Sequence, residues 1–138
     1  MKTKILFLVY IIISSACSEP EPKLELKTPE AFSFDLGDSW EVNSSVKAIG
    51  FAQKEEEENY SIKLSYSVDI ISESDSLLAI YNDLIDESNN EEFLDYILEA
   101  QIEIDSTFGE GDHILIYHVK DELSNQEKSI SVDFNLSK

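Results

Sequence analysis

The chain has 138 residues, of which 42% are hydrophobic, and its 10 basic and 29 acidic residues give a formal net charge of −19. This length suits one domain with a single core. The charge argues against nucleic acid and anionic lipid surfaces as ligands, because both are bound chiefly by clusters of lysine and arginine. It favours solubility and leaves a basic protein as the alternative kind of partner.

The first seventeen residues have the three-part layout of an export signal. Lys2 and Lys4 supply positive charge, residues 5–13 are all apolar, and small residues then precede Cys17. As a helix, the apolar run would rise about 14 Å, roughly half of the ~30 Å hydrocarbon core of a bilayer. The segment is too short for a permanent membrane span, so residues 1–16 are predicted to be a cleaved leader.

The residues around the predicted cleavage point, Ser14-Ser15-Ala16-Cys17, resemble the lipobox of bacterial lipoproteins. This resemblance implies cleavage before Cys17, acylation of its sulfur and usually of its new amino group, and anchoring to a membrane of the cell envelope. Residue 18 is serine rather than aspartate, and in this the chain resembles lipoproteins that are sorted to the outer membrane. An ordinary signal peptidase also accepts Ser14 and Ala16, and that alternative would leave the chain's only cysteine as a free thiol.

The segment that follows the cysteine contains all three prolines of the chain, Pro20, Pro22 and Pro29. It has no apolar periodicity and is predicted to be a flexible tether over residues 17–30. At about 3.1 Å per residue, this tether would hold the domain up to roughly 40 Å from the bilayer. Residues 31–138 are then predicted to form one globular domain.

The domain begins with patterns of period two, which are typical of strands. Phe32, Phe34 and Leu36 alternate with polar residues before a Gly-Asp turn and predict a short strand. Residues 46–53 and 60–70 flank an acidic loop and predict a hairpin, whose second strand alternates along its whole length. Three more strands are predicted, at residues 101–107, 114–120 and 129–136.

Two helices are predicted between these groups of strands. Ser74 or Asp75 can cap a helix that runs to about Asp86, and Asn89 with Glu92 has the capping-box spacing of a second, short helix. The apolar stripe of the first helix consists of Leu77, Leu78, Ile80, Tyr81, Leu84 and Ile85. The expected fold class is α+β, with an antiparallel sheet of about five to six strands and one or two helices packed on one face.

The run Phe34-Asp35-Leu36-Gly37-Asp38-Ser39-Trp40, followed by a hairpin and a helix from Ser76, looks similar to the opening of PsbP/Mog1-like α/β/α sandwich domains. This resemblance covers about residues 32–86. It implies a partner-binding or accessory domain that shares no chemistry with its relatives.

The sequence contains no catalytic or cofactor motif, and we predict neither enzymatic activity nor a cofactor. His113 and His118 are the only histidines, and their spacing on one strand places them on opposite faces, where they cannot bind one metal. We expect His118 at a core or edge position and His113 in solvent. Asp105, Glu110 and Asp112 cluster near His113, so a calcium loop is the alternative there to a plain acidic turn.

The densest charge run consists of Glu55, Glu56, Glu57 and Glu58, and we call it the glutamate run. It is predicted to be a solvated hairpin tip, and its alternative role is contact with a basic partner. The predicted function is a membrane-anchored, non-enzymatic binding or accessory module of the cell envelope. The alternative is an acidic inhibitor or immunity-type lipoprotein that binds a basic exported protein.

Overall fold

The computed structural model of the chain describes residues 21–138, and strand makes up 70% of them against 3% in helix. The predicted α+β fold, with one or two helices packed on a sheet, is therefore wrong. The strands of this part of the chain are β1 (Glu25–Asp35), β2 (Ser39–Ile49), β3 (Lys54–Glu56), β4 (Asn59–Ile71), β5 (Ser76–Asn89), β6 (Tyr96–Asp105), β7 (Gly111–Asp121) and β8 (Glu127–Leu136). A 3-10 helix, Ser106–Phe108, connects β6 to β7.

The strands form two antiparallel sheets that face each other. Sheet 1 has the order β1-β2-β6. In sheet 2, β4 pairs with β5 on one side and with β7 and the short β3 on the other, and β8 lies beyond β7. The predicted hairpin of residues 46–53 and 60–70 is absent, because β2 belongs to sheet 1 and β4 to sheet 2. The sheets also meet at an edge, where Ser33 of β1 donates a hydrogen bond to the backbone oxygen of Asn135 in β8.

Alternating side chains of both sheets fill one core between them. Trp40 and Tyr117 are its largest fully buried side chains. The Tyr117 hydroxyl of sheet 2 lies 2.8 Å from Oγ of Ser44 in sheet 1. In the same way, the Tyr66 hydroxyl of sheet 2 donates to the backbone oxygen of Glu99 in sheet 1, at 2.6 Å. These hydrogen bonds satisfy polar groups inside the core and fix the position of one sheet against the other.

The first predicted helix is strand β5, which pairs with β4 along its length. Between the pairs Val68–Tyr81 and Ile70–Leu77, β5 places three residues opposite Asp69 alone. The partly buried apolar residues of β5 are Leu77, Ile80, Tyr81 and Ile85. Because the bulge shifts the alternation, their spacing matches the period of a helix although the backbone is extended.

The second predicted helix is a loop that leads into β6, which begins at Tyr96. The side-chain amide of Gln53 holds this loop, because it accepts a hydrogen bond from the backbone N–H of Phe93 at 2.8 Å and donates one to its oxygen at 2.7 Å. β7 lies between β4 and β8, so it is a central strand of sheet 2. Its outer side lacks the expected helical cover, and Ile114 is 40% exposed there.

The chain enters the sandwich earlier than the predicted boundary at residue 30, since β1 begins at Glu25. Leu24 is fully buried, and its backbone N–H donates to Oε1 of Gln126 in the β7–β8 turn at 2.9 Å. The backbone oxygen of Lys23 occupies the space that a side chain on Gly50 would need, so only glycine fits at this position. The entry point therefore lies at the end of the sandwich that holds Gly50 and the β7–β8 turn, which we call the tether end.

A bulge in β1 decides which of its side chains face the core. Thr28 and Pro29 together lie opposite Val46 of β2. Proline lacks the N–H that a regular ladder uses, and Thr28 has a φ of 49°. One extra residue reverses the alternation, so Phe32 and Phe34 point outward and are 61% and 52% exposed.

Because Phe32 and Phe34 point outward, their removal should destabilise the protein less than removal of a buried ring. Replacing Phe32 and Phe34 together by threonine should lower the free energy of unfolding by less than about 1 kcal/mol, because both rings are exposed. Phe134→Thr should lower it by at least about 3 kcal/mol, since this ring is only 7% exposed. Urea denaturation measures both changes, and a comparable loss in the double variant would place its rings in the core.

The buried hydroxyl of Tyr117 predicts that the protein loses stability at alkaline pH. Burial raises the pKa of Tyr117 to about 12, whereas an unfolded tyrosine titrates near 10. The folded chain then keeps this proton while the unfolded chain releases it, so stability falls as the pH rises from about 10 to 12. Urea denaturation across this window should show a shallower fall for Tyr117→Phe than for the unchanged chain. Parallel curves would contradict the assignment.

Candidate binding face

The two site predictions from sequence concern Cys17 and the glutamate run. Cys17 lies outside the described residues 21–138, so its acylation stays a prediction. Within those residues, no helix has the length and apolar character needed to cross a membrane.

The glutamate run forms an exposed hairpin tip at the tether end. Glu57 and Glu58 are the turn residues between β3 and β4, and their φ values of 49° and 68° are those of a tight hairpin turn. The Lys54 ammonium lies 2.9 Å from Oε1 of Glu56. This lysine therefore neutralises part of the glutamate run, and the other three glutamates are exposed residues.

The acidic turn between β6 and β7 lacks the geometry of a cation site. Asp105 accepts a hydrogen bond from the Thr107 N–H at 2.8 Å, and this bond lowers the pKa of the Asp105 carboxyl. His113 is 4% exposed rather than in solvent, and its Nε2 lies 3.2 Å from the Gly109 oxygen. Across residues 21–138, no group of three or more histidine, cysteine, aspartate or glutamate side chains is arranged to hold a metal ion.

His118 joins a hydrogen-bond chain on the outer side of sheet 2. Its Nε2 lies 2.7 Å from Oδ2 of Asp69, and its Nδ1 lies 2.8 Å from Oγ of Ser129. The other Asp69 oxygen accepts the Ala79 N–H in the β5 bulge at 2.7 Å. These hydrogen bonds run from β5 through β4 and β7 to β8, so they connect the four long strands of sheet 2.

Sequence reasoning missed this chain of contacts, because its members are separated by 10, 49 and 11 positions. An imidazole between a carboxylate and a hydroxyl can accept the serine proton. The surroundings are an open depression of about 760 Å³, bordered by neutral polar residues such as Ser65 and by charged residues such as Lys120 and Lys128. The side chain of His118 is 44% exposed there, in contrast to the core position that we considered from sequence.

The outer side of sheet 1 combines exposed rings with carboxylates. The cross-strand register aligns Phe34, Glu41 and Glu103 in one row. The next row consists of Phe32, Asn43 and Gln101. We call these six residues the acidic aromatic face. Its rings belong to β1, and its polar groups belong to β2 and β6.

Hydrogen bonds orient the two carboxylates of the acidic aromatic face. Asn43 Nδ2 donates to Oε1 of Glu41, and the Ser39 hydroxyl donates to Oε1 of Glu103, both at 2.8 Å. Glu41 and Glu103 are directly opposed across β2 and β6. Like charges in this position repel each other and destabilise a sheet.

The charge around the face is one-sided. Glu30, Glu99 and Asp105 extend the negative charge on the same side of sheet 1. Lys27 and Lys47 lie in another row, nearer the tether end, and each already pairs with a carboxylate, at 3.7 Å and 3.9 Å. The half of sheet 1 that carries the rings is therefore strongly acidic.

Comparisons with known proteins provide no family for this chain. No protein-family model matches it, and no curated protein matches it. Among solved structures, it is similar to a Northeast Structural Genomics Consortium target called SoR45, with 12% identity and a TM-score of 0.35. The match covers 84% of this chain and 86% of that one. A similarity this weak supports no inference about function.

Proposed function

We propose that the chain is a lipoprotein of the bacterial cell envelope, anchored in the outer membrane, that acts as a non-enzymatic binding or accessory module. The anchor is supported by the apolar run of residues 5–13 and the lipobox-like residues before Cys17. Two or three acyl chains hold a protein stably on a membrane without help from basic residues. Such an anchor suits a domain with so few cations.

The acidic aromatic face is the observation that carries the binding role. Large exposed apolar side chains that are bordered by polar groups mark interaction surfaces more often than solitary ones do. Phe32 and Phe34 lie side by side on one strand, next to oriented carboxylates. Leu36, 50% exposed, extends the apolar surface at the end of β1.

The second candidate function is an acidic inhibitor or immunity-type lipoprotein that binds a basic exported protein. Its support is the charge: removal of Lys2 and Lys4 with the leader leaves eight lysines against all 29 acids. An interface of this kind associates quickly at low salt and weakens as salt screens the charges.

Membrane anchoring predicts the location of a cysteine variant. The unchanged chain should fractionate with membranes of a bacterial host, and its mature amino terminus should be an acylated Cys17. Cys17→Ser should appear in the aqueous fraction, whereas the neighbouring control Ser18→Ala should stay with the membranes. Mass spectrometry decides the outcome: an unmodified thiol at Cys17, or a polypeptide that still starts at Met1, contradicts the proposed anchor.

The binding role predicts a stoichiometric partner in the cell envelope. The full chain in neutral detergent should retain such a protein from an envelope extract of the bacterium that makes it, at ~150 mM salt. For the inhibitor candidate, the partner should be basic, and its retention should fall steeply between low and physiological salt. Recovery of basic proteins in non-stoichiometric amounts, and only at low salt, would contradict the inhibitor candidate.

A further inference from the structure

We infer that the acidic aromatic face docks a basic segment of a partner protein, in which arginine or lysine residues stand beside apolar ones. The inference rests on the proposed binding function and adds the surface and the chemistry of the partner. It also moves the contact away from the glutamate run, which offers exposed carboxylates without an exposed aromatic strip.

Two carboxylates at the centre of the acidic aromatic face have no cation from the described residues between them. Glu41 and Glu103 oppose each other directly, and the hydrogen bonds from Asn43 and Ser39 hold them in place. Their repulsion opposes folding of the free protein. A cation bound between the two carboxylates removes this repulsion, so the partner supplies a stabilising charge that residues 21–138 do not place there. Side chains that lower the stability of the free protein are typical of functional sites.

The two rings supply the apolar half of the contact. Phe32 and Phe34 are successive outward residues of β1, so they lie about 7 Å apart along one strand and form a strip beside the carboxylates. An arginine over the face of an aromatic ring gains a cation–π interaction while its guanidinium pairs with a neighbouring carboxylate. Apolar residues of the same segment cover the rest of the strip and exclude water from these ion pairs.

Charge complementarity favours a basic protein segment over other ligands of the acidic aromatic face. A second copy of the chain would bring carboxylates against carboxylates. Nucleic acid and anionic lipid would meet the same repulsion, because Lys27 and Lys47 lie nearer the tether end and are already paired. A neutral apolar ligand would use the rings but leave the repulsion between Glu41 and Glu103 in place.

The face also lies where a partner can reach it. Leu24 enters at the tether end, and Phe34 lies about 30 Å further along β1, next to the β1–β2 turn at the opposite end. An anchor at Cys17 would therefore join the domain at the end far from the acidic aromatic face. The glutamate run lies at the tether end.

A labelled peptide of about ten residues that alternates arginine with valine tests the inference on the full chain in neutral detergent. Fluorescence anisotropy should show binding that weakens steeply between ~20 and ~150 mM salt. The variant with Phe32→Thr and Phe34→Thr should bind roughly tenfold more weakly. The variant with Glu41→Gln and Glu103→Gln should show a similar loss and a shallower salt dependence, with a thermal midpoint no lower than that of the unchanged chain.

The matched control carries Glu55→Gln and Glu57→Gln, which removes the same charge from the glutamate run and should leave binding within about twofold of the original. Amide chemical shifts should change in β1, β2 and β6. The inference is overturned by equal binding of all variants, by shifts confined to the glutamate run, or by equal binding of a peptide with serine in place of arginine. Dimerisation of the chain that the threonine variant abolishes would identify a second copy as the occupant instead.

Failure of this inference and failure of the proposed function are distinguishable. Absence of peptide binding, or binding elsewhere on the chain, overturns the docking surface alone. The proposed binding role fails when the envelope extract yields no stoichiometric partner at either salt concentration.

Discussion

The two sheets share one core, so every strand must present alternate residues to the same interior. This constraint explains the alternation of buried side chains in β2, β4, β6 and β7. It also brings Tyr117 and Tyr66 to hydrogen-bond partners in the facing sheet. Because a fold of this kind has many non-local contacts, the position of each side chain depends on strands that are distant in sequence.

Two bulges interrupt that alternation, and one of them creates the proposed binding face. The extra residue at Thr28 and Pro29 turns Phe32 and Phe34 away from the core. The larger bulge in β5 is held by Asp69, which also binds His118. Bulges are common near binding sites because they redirect a side chain without dismantling the sheet. Here one bulge exposes an aromatic strip, and the other is stabilised by a polar network across sheet 2.

The two ends of the sandwich differ in charge and in exposed aromatic rings. The tether end holds the entry of the chain and the glutamate run, whereas the opposite end combines rings with opposed carboxylates. Exposed carboxylates at a hairpin tip are well solvated and gain little from a partner. Carboxylates held next to exposed rings gain more, because a partner that covers the rings also removes water from the ion pairs. This difference is the reason for placing the proposed binding surface at the opposite end.

The sequence alone determined the acidic character, the period-two pattern of β4 and the approximate positions of β6, β7 and β8, because these follow from composition and from local alternation. It also contains the whole basis for the predicted anchor at Cys17. Tertiary structure decided the rest. The apolar spacing of Leu77, Ile80, Tyr81 and Ile85 matches a helix, and only pairing with β4 makes it a bulged strand. Likewise, the alternation of Phe32 and Phe34 with polar residues does not show which side of β1 faces the core. The bulge opposite Val46 shifts the register by one residue, and this shift turns both rings outward.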